Sequence, residues 1–588
     1  MKHLFGCLKK YRLVSILAPL FKLFEATLEL FVPLVVANII DKGIVSSDRS
    51  GIFASCALLV ALGVVGLCFS VVAQYFSARA AVGSVSMLRS ILFERIQSLS
   101  YAELDAVGQS TLITRLTADA NKVQNGVNMT LRLLLRSPFV VFGAMIMAFT
   151  VDVKSALVFV VLIPVLSAVV FGIMLTCLPL YKKVQKGLDG LTTLTRENLT
   201  GVRVIRAFRR ENAETEDFVV SNRALSSLQR FVGRVSGLMG PLTYAVVSAG
   251  IIALLYSGAV RIDSGELTQG QIVALYSYMS QILVELVKLA SLIITITGAV
   301  ASQKRIEAVF EDSKTGQTGA DTSELNNSAS ADTETRAEGN DTVVEFIGAG
   351  LTYPGNNAPA VTGVELSVKR GETVGIIGGT GSGKTSLVNL IPRFYDAAEG
   401  AVRVFGRDVR DWDPKELRSR IGVVPQKAEL FAGTVRDNLL FADENACDDE
   451  LVRALKTAQA YDFIFEKGGL DHVLEQNGRN LSGGQKQRLT VARALVGAPE
   501  ILILDDSASA LDYATDAAMR SAIAADAHAD AVFIVSQRAA GVMNADTILV
   551  LDGGAVVGCG KHDELLESCA VYREIYDSQF GSEEACDE

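Results

Sequence analysis

The chain has 588 residues, 49% of them hydrophobic, with a mean hydropathy of +0.33 and a formal net charge of −10. That acidic balance excludes a non-specific nucleic-acid binder, which carries a basic patch. The eight cysteines (7, 56, 68, 177, 447, 559, 569 and 586) form no C-x-x-C pair, and the four histidines (3, 472, 528 and 562) are too scattered to suggest a metal site.

The apolar residues crowd into the first 300 positions, which sets a membrane class ahead of any length-based domain count. Met1–Arg12 is basic and then turns apolar. The apolar stretch runs on to about Asp41, too long for the h-region of a signal peptide. A hydrocarbon core of roughly 30 Å takes about 20 apolar residues to cross. Segments near 13–40, 52–78, 133–150, 156–180, 238–260 and 271–299 meet that length, predicting six spans.

The long connections 79–130 and 182–235 are rich in Arg and Lys, whereas 41–51, 151–155 and 261–270 are short and poor in them. Positive charge stays on the cytoplasmic side, so both termini and the long loops are expected there. Inside the spans, Lys22, Glu25 and Glu29 share a helical face, and Glu285 and Lys288 form an i, i+3 pair. Ionisable groups at membrane depth mark functional sites or neutralise one another. Either Glu29 or Glu285 serves as counter-charge to a cationic amphiphile, or these groups pair with neighbouring helices. Phe21, Phe24 and Phe31 share the first span and are read as lipid or helix contacts.

Residues 1–310 thus read as an all-α six-helix transmembrane domain. The polar run 311–341 lacks large apolar residues and reads as a flexible linker. Strand-like runs alternate with helical stretches over 342–580, predicting an α/β domain, and 581–588 is an acidic tail.

Gly378-Gly379-Thr380-Gly381-Ser382-Gly383-Lys384-Thr385 fits G-x-x-x-x-G-K-[ST] between the apolar strand Thr373–Ile377 and a helix beginning near Thr385. Glycines let backbone N–H groups turn inward around phosphate, Lys384 reaches the outer phosphates, and Thr385 coordinates Mg²⁺. Ile501–Asp505 is an apolar strand ending in a carboxylate, the partner a P-loop requires to hold Mg²⁺.

Leu481-Ser482-Gly483-Gly484-Gln485 resembles the signature of ABC-type (ATP-binding cassette) ATPases. With Gly108–Asp119 and Glu197–Phe208, similar to the intracellular loops of ABC exporters, the resemblance covers nearly the whole chain. It implies an α/β P-loop NTPase domain joined to a six-helix membrane domain, in a multi-pass protein of a bacterial plasma membrane. Tyr353 matches the adenine-stacking aromatic, Gln426 the glutamine that helps hold the metal and water, and Ser509–Asp512 the D-loop. The family works as a dimer with two ATPs, each held by one subunit's P-loop and the other's signature, so Ser482–Gln485 are expected to serve the partner's nucleotide, and Asp512 of the D-loop is expected among the nucleotide-binding residues. A short coupling helix is expected around Glu211–Glu216.

Two positions depart from the family. Asp506 stands where a glutamate polarises the attacking water, and Gln537 stands where a histidine senses γ-phosphate. Both fall in the site built on this chain's own P-loop, while the signature is intact. That division resembles one subunit of heterodimeric bacterial multidrug exporters, as does Gln476, where many homodimeric exporters carry glutamate. The expectation is ATP-driven export of amphiphilic small molecules by a heterodimer in the lipid bilayer, with no nucleic-acid partner. The alternatives are a homodimeric lipid, peptide or siderophore transporter and an ATP-gated regulatory or channel-type protein.

Overall fold

A computed structural model of the protein describes residues 2–311, 341–356, 358–526 and 529–580. The interior of the expected linker, the acidic tail and His528 lie outside the described residues. The chain forms two compact units. One holds the residues up to Ser98 and continues from Gly108 through the last long helix; the other holds Leu99–Val107 together with the C-terminal half.

Among the described residues, the first unit contains six helical segments long and apolar enough to cross a membrane: Arg12–Ile44, Arg49–Gln97, Gln109–Val151, Val153–Thr200, Glu211–Asp263 and Gln269–Glu311. At 1.5 Å per residue, a helix of about 48 residues spans roughly 70 Å, over twice a hydrocarbon core. These helices therefore extend well beyond the bilayer. Small residues let them approach closely, because lipid supplies little hydrophobic drive for association and packing must do the work. A Cβ on Gly126 would lie 2.2 Å from that of Ala299, and Ala26, Ala144, Ala148 and Ala156 are fully buried. The Tyr278 hydroxyl, sealed in this core, donates to Leu30 O at 2.7 Å.

The short helix expected around Glu211–Glu216 lies instead at Val202–Ala207. Gly201 ends the preceding helix, and Arg209, in the left-handed region at φ 54°, turns the chain before Glu211 opens a 27-residue helix. Glu211 and Glu214 stand in the first turn of that long helix, where the helix dipole favours acidic groups.

In the second unit, β1 (Thr342–Leu351), β2 (Val361–Lys369), β4 (Glu399–Val404) and β5 (Arg407–Asp408) form an antiparallel sheet in the order β2-β1-β4-β5. A six-stranded sheet joins β3 (Glu372–Gly378), β6 (Ile421–Val424), β7 (Ile501–Asp505), β8 (Ala531–Ser536), β9 (Thr547–Asp552) and β10 (Ala555–Gly560). Its order is β10-β9-β3-β8-β7-β6, parallel except for the β9–β10 edge. Every residue of β7 is buried, as a strand covered on both faces requires.

The same unit includes the helix Tyr101–Val107, carried in from between the second and third spans. Its Tyr101 ring stacks on Phe394 at 4.3 Å, and Tyr395 donates to the Asp105 carboxylate.

Candidate active site

The parallel strands end at one edge of the six-stranded sheet, where open α/β sheets bind ligands. Register sets the geometry: Val535 of β8 lies between Ile376 of β3 and Asp505 of β7. Residues just beyond these strands therefore converge. The loop after β3 leads into the short helix α1 (Lys384–Val388). A cavity of about 490 Å³ opens there, lined among others by Tyr353, Thr380, Lys384, Thr385, Gln426, Asp505, Asp506 and Gln537.

Two glycines are fixed by their surroundings. Gly383 has φ +95°, and a Cβ on it would lie 2.5 Å from Ala360 O. A Cβ on Gly378 would meet Leu551 O, on the neighbouring strand, at 2.1 Å. The Lys384 ammonium donates to Gly378 O at 2.9 Å and Gly379 O at 2.6 Å, and lies 3.3 Å from Ser382 Oγ. Burial pulls the Lys384 pKa below its ordinary value, against the pull of the nearby carboxylates Asp506 and Asp505.

Asp505 is buried and accepts from Thr385 Oγ1 at 3.1 Å. Burial pushes its carboxyl above the ordinary carboxylate range, and Asp506 adds to the effect. Asp506 has φ 47°, a left-handed conformation that Asp tolerates better than most residues. Its carboxylate accepts from Gln426 Nε2 at 3.5 Å, and Gln537 Oε1 lies 3.5 Å from Thr380 Oγ1. Across the cavity, Tyr353 donates to Ser386 Oγ at 2.9 Å and meets Tyr395 edge-on at 5.0 Å.

Ser482–Gln485 and Asp512 do not line this cavity. Ser482 caps helix α2 (Gly483–Val496), in a reciprocal box with Gln485, and is exposed. Gln487 ties this helix to the following loop, donating to Ser509 Oγ at 2.9 Å and accepting from Ala510 N at 3.0 Å. Asp512 is exposed at the start of helix α3 (Tyr513–Ala525).

The sequence reading missed Gln579, on helix α4 (Ala570–Phe580). Its side chain accepts from Ala539 N at 2.8 Å and donates to Gln537 O at 2.9 Å, bracketing the turn that carries Gln537. No local pattern in the sequence marks such a long-range tie.

The membrane half holds a second constellation. Lys22 pairs with Glu25 and donates to Ser70 Oγ at 3.1 Å. Glu285 is 3% exposed and accepts from Arg136, Lys288 and Ser137, so its oxygens are satisfied by the protein itself. Arg136 is the residue the sequence reading missed here. A lone arginine in an apolar span demands acid partners, and that was its available signal.

Residues 15–286 match the family model described as the ABC transporter transmembrane region, and 361–509 match the model described as ABC transporter. An uncharacterized ABC transporter ATP-binding protein of Mycobacterium tuberculosis (strain CDC 1551 / Oshkosh) is 35% identical over 97% of each chain. The uncharacterized ABC transporter ATP-binding protein YfiB of Bacillus subtilis (strain 168) is 35% identical over the full length of both. The ATP-dependent lipid A-core flippase of Escherichia coli (strain K12) is 27% identical over 99% of this chain and 98% of its own.

Proposed function

The chain belongs to the ABC transporter family as a multi-pass, exporter-type membrane protein with an ATPase domain coupled to transport, and from that premise we propose that it is the catalytically weakened subunit of a heterodimeric exporter of amphiphilic small molecules. The observation that carries this reading is the edge of its own nucleotide cavity. Asp506 and Gln537 both line that cavity, just beyond β7 and β8, while Ser482 heads its helix with the signature complete. An aspartate is one C–C bond shorter than a glutamate, roughly 1.5 Å. Misplacing a positioning group by about 1 Å costs around 10²-fold in rate. Gln537 offers a hydrogen bond but cannot become cationic as histidine can.

In this reading Lys384 and the glycine-rich loop hold the phosphates, Tyr353 stacks on adenine, and Asp506 orients water with low efficiency. Ser482–Gln485 and Asp512 complete the partner's site. The residues present fit Mg²⁺: Asp505 is a buried carboxylate beside a second carboxylate and within hydrogen-bonding distance of Thr385. Thr385, Asp505 and Gln426 would hold the ion, which supplies charge neutralisation of the phosphates.

The test is Mg-ATPase turnover in lipid, for the chain alone and co-expressed with its partner, each with Asp506 and with Asp506→Glu. A nearly inactive lone chain, an active complex and little change on Asp506→Glu support the reading. A lone chain that dimerises and turns over ATP robustly overturns it. That outcome would favour a homodimeric lipid, peptide or siderophore transporter, for which the likeness to a lipid A-core flippase speaks.

A further inference from the structure

Three membrane helices bring charges to one depth. Glu29 lies 15 residues from the end of the first span at Ile44, Arg136 lies 15 from Val151, and Glu285 lies 16 from Gln269. At 1.5 Å per residue these are roughly 22–24 Å along the helices from their short-loop ends, less than the thickness of a hydrocarbon core of about 30 Å. The groups form a chain of ion pairs. Arg136 Nη2 meets Glu29 at 2.6 Å, Arg136 Nη1 meets Glu285 at 2.5 Å, and Lys288 meets Glu285 at 2.9 Å.

The two ends of this chain are open. The Glu29 side chain is 42% exposed and that of Lys288 is 46% exposed, whereas Arg136 and Glu285 are buried between them. Hydrocarbon does not solvate a half-exposed carboxylate, so this face, open in the single chain, meets water, a polar ligand or the partner subunit. The sixth helix agrees independently. Ser277, Gln281, Val284, Lys288, Ser291 and Thr295 follow one another at spacings of four and three, on a single face that is nowhere fully buried. The Ser277, Ser291 and Thr295 hydroxyls donate to carbonyls of their own helix, which leaves Gln281 and Lys288 as the groups on this face that call for an outside polar partner. Gln281 Oε1 and Arg136 Nε, moreover, have no hydrogen-bond partner among the described residues.

We propose that Glu29 and Lys288 form a headgroup site for a zwitterionic amphiphile, one carrying both an ammonium and a phosphate or carboxylate. The inference deepens the exporter reading and rests on it. Glu29 takes the ammonium and Lys288 the anionic group, while Arg136 and Glu285 hold the two apart and oriented. The four charges sum to zero, so the site gives no net preference to a pure cation or a pure anion. Glu285, whose oxygens are already satisfied, is a positioning residue rather than a counter-charge.

The experiment uses the full chain with its co-expressed partner in proteoliposomes and three fluorescent amphiphiles with the same acyl chain: a phosphatidylethanolamine, a phosphatidylglycerol and a quaternary-ammonium analogue. ATP-dependent translocation of each is measured for native protein, Glu29→Gln and Lys288→Gln. The native complex is expected to favour the zwitterion. A lost charged hydrogen bond lowers zwitterion transport by about tenfold or more. Lys288→Gln shifts preference toward the cation and Glu29→Gln toward the anion. A misfolded variant loses all three probes alike, so opposite shifts cannot arise from damage. Equal losses in both variants, unchanged preferences, or a native complex that moves only the cation each overturn the headgroup site while leaving the exporter reading intact. A native complex that hydrolyses ATP and moves none of the probes overturns both.

Discussion

Alanine substitutions in the glycine-rich loop separate its structural glycines from its tolerant ones. At Gly383, with φ +95°, a Cβ would sit 2.5 Å from Ala360 O and 2.8 Å from Val361 Cγ2. A left-handed backbone costs an L-residue about 1–2 kcal/mol, and forcing a methyl into occupied space costs about 1–3 kcal/mol more. Gly383→Ala therefore loses about 2–5 kcal/mol of the binding conformation, at least a 30-fold fall in ATP affinity at about 1.4 kcal/mol per decade. Gly378→Ala fares no better, since its 2.1 Å neighbour is a carbonyl fixed in the sheet by β9 pairing. Gly379 has ordinary φ, and nothing lies within 4 Å of an added Cβ, so Gly379→Ala stays within about threefold of native. Titration with a fluorescent ATP analogue, alongside thermal unfolding without nucleotide, reads all three. Equal losses at Gly379 and Gly383, or native affinity at Gly383→Ala, would refute the reasoning.

Three further outcomes follow from named contacts. Burial holds Asp505 above its ordinary range, so its contribution to stability is present below the unfolded value of 3.8 and is lost as pH rises through the folded pKa. Asp505→Asn should then raise the melting temperature of nucleotide-free protein at neutral pH, with the gain shrinking as pH falls toward 4, while Mg-ATP binding weakens. A gain that grows on acidification contradicts this. Gln579→Ala removes two hydrogen bonds to the Gln537 turn and should speed ATP dissociation by about tenfold, with Gln579→Glu intermediate; stopped-flow release shows whether the three rates differ. Tyr101→Ala removes the stacking on Phe394 and should leave ATP turnover unresponsive to transport substrate, and a native stimulation ratio in lipid would disprove it.

The parts of this protein that repeat a local rule were legible from sequence. Six apolar runs match six long helices because bilayer thickness imposes a length, and the P-loop stands out because Gly378 and Gly383 occupy positions that only glycine fits. What failed to show were contacts between residues far apart in sequence. Arg136 was visible as an arginine in an apolar run, but its partners Glu29 and Glu285 lie 107 and 149 residues away. The short helix lies at Val202–Ala207 and not around Glu211–Glu216 because Gly201 and the left-handed Arg209 bound it, whereas the acidic run at Glu211 opens the next helix. Tyr101 gave no sign of belonging with the ATP-binding half, since a seven-residue helix takes its place from what it packs on.

The asymmetric reading also makes a demand on a second sequence. If Asp506 and Gln537 leave this chain's own site slow, the complex needs one competent site, built from this chain's Ser482–Gln485 and a partner carrying glutamate and histidine at the matching positions. The partner's signature is then free to deviate, because it serves the slow site. Two observables follow from that arrangement. Substituting the partner's glutamate should abolish turnover, whereas Asp506→Asn should leave most of it; Ser482→Arg should silence the complex through a residue outside this chain's own cavity. An Asp506→Asn complex as dead as the partner's variant would mean that both sites fire, and the shorter carboxylate would then be a sufficient base.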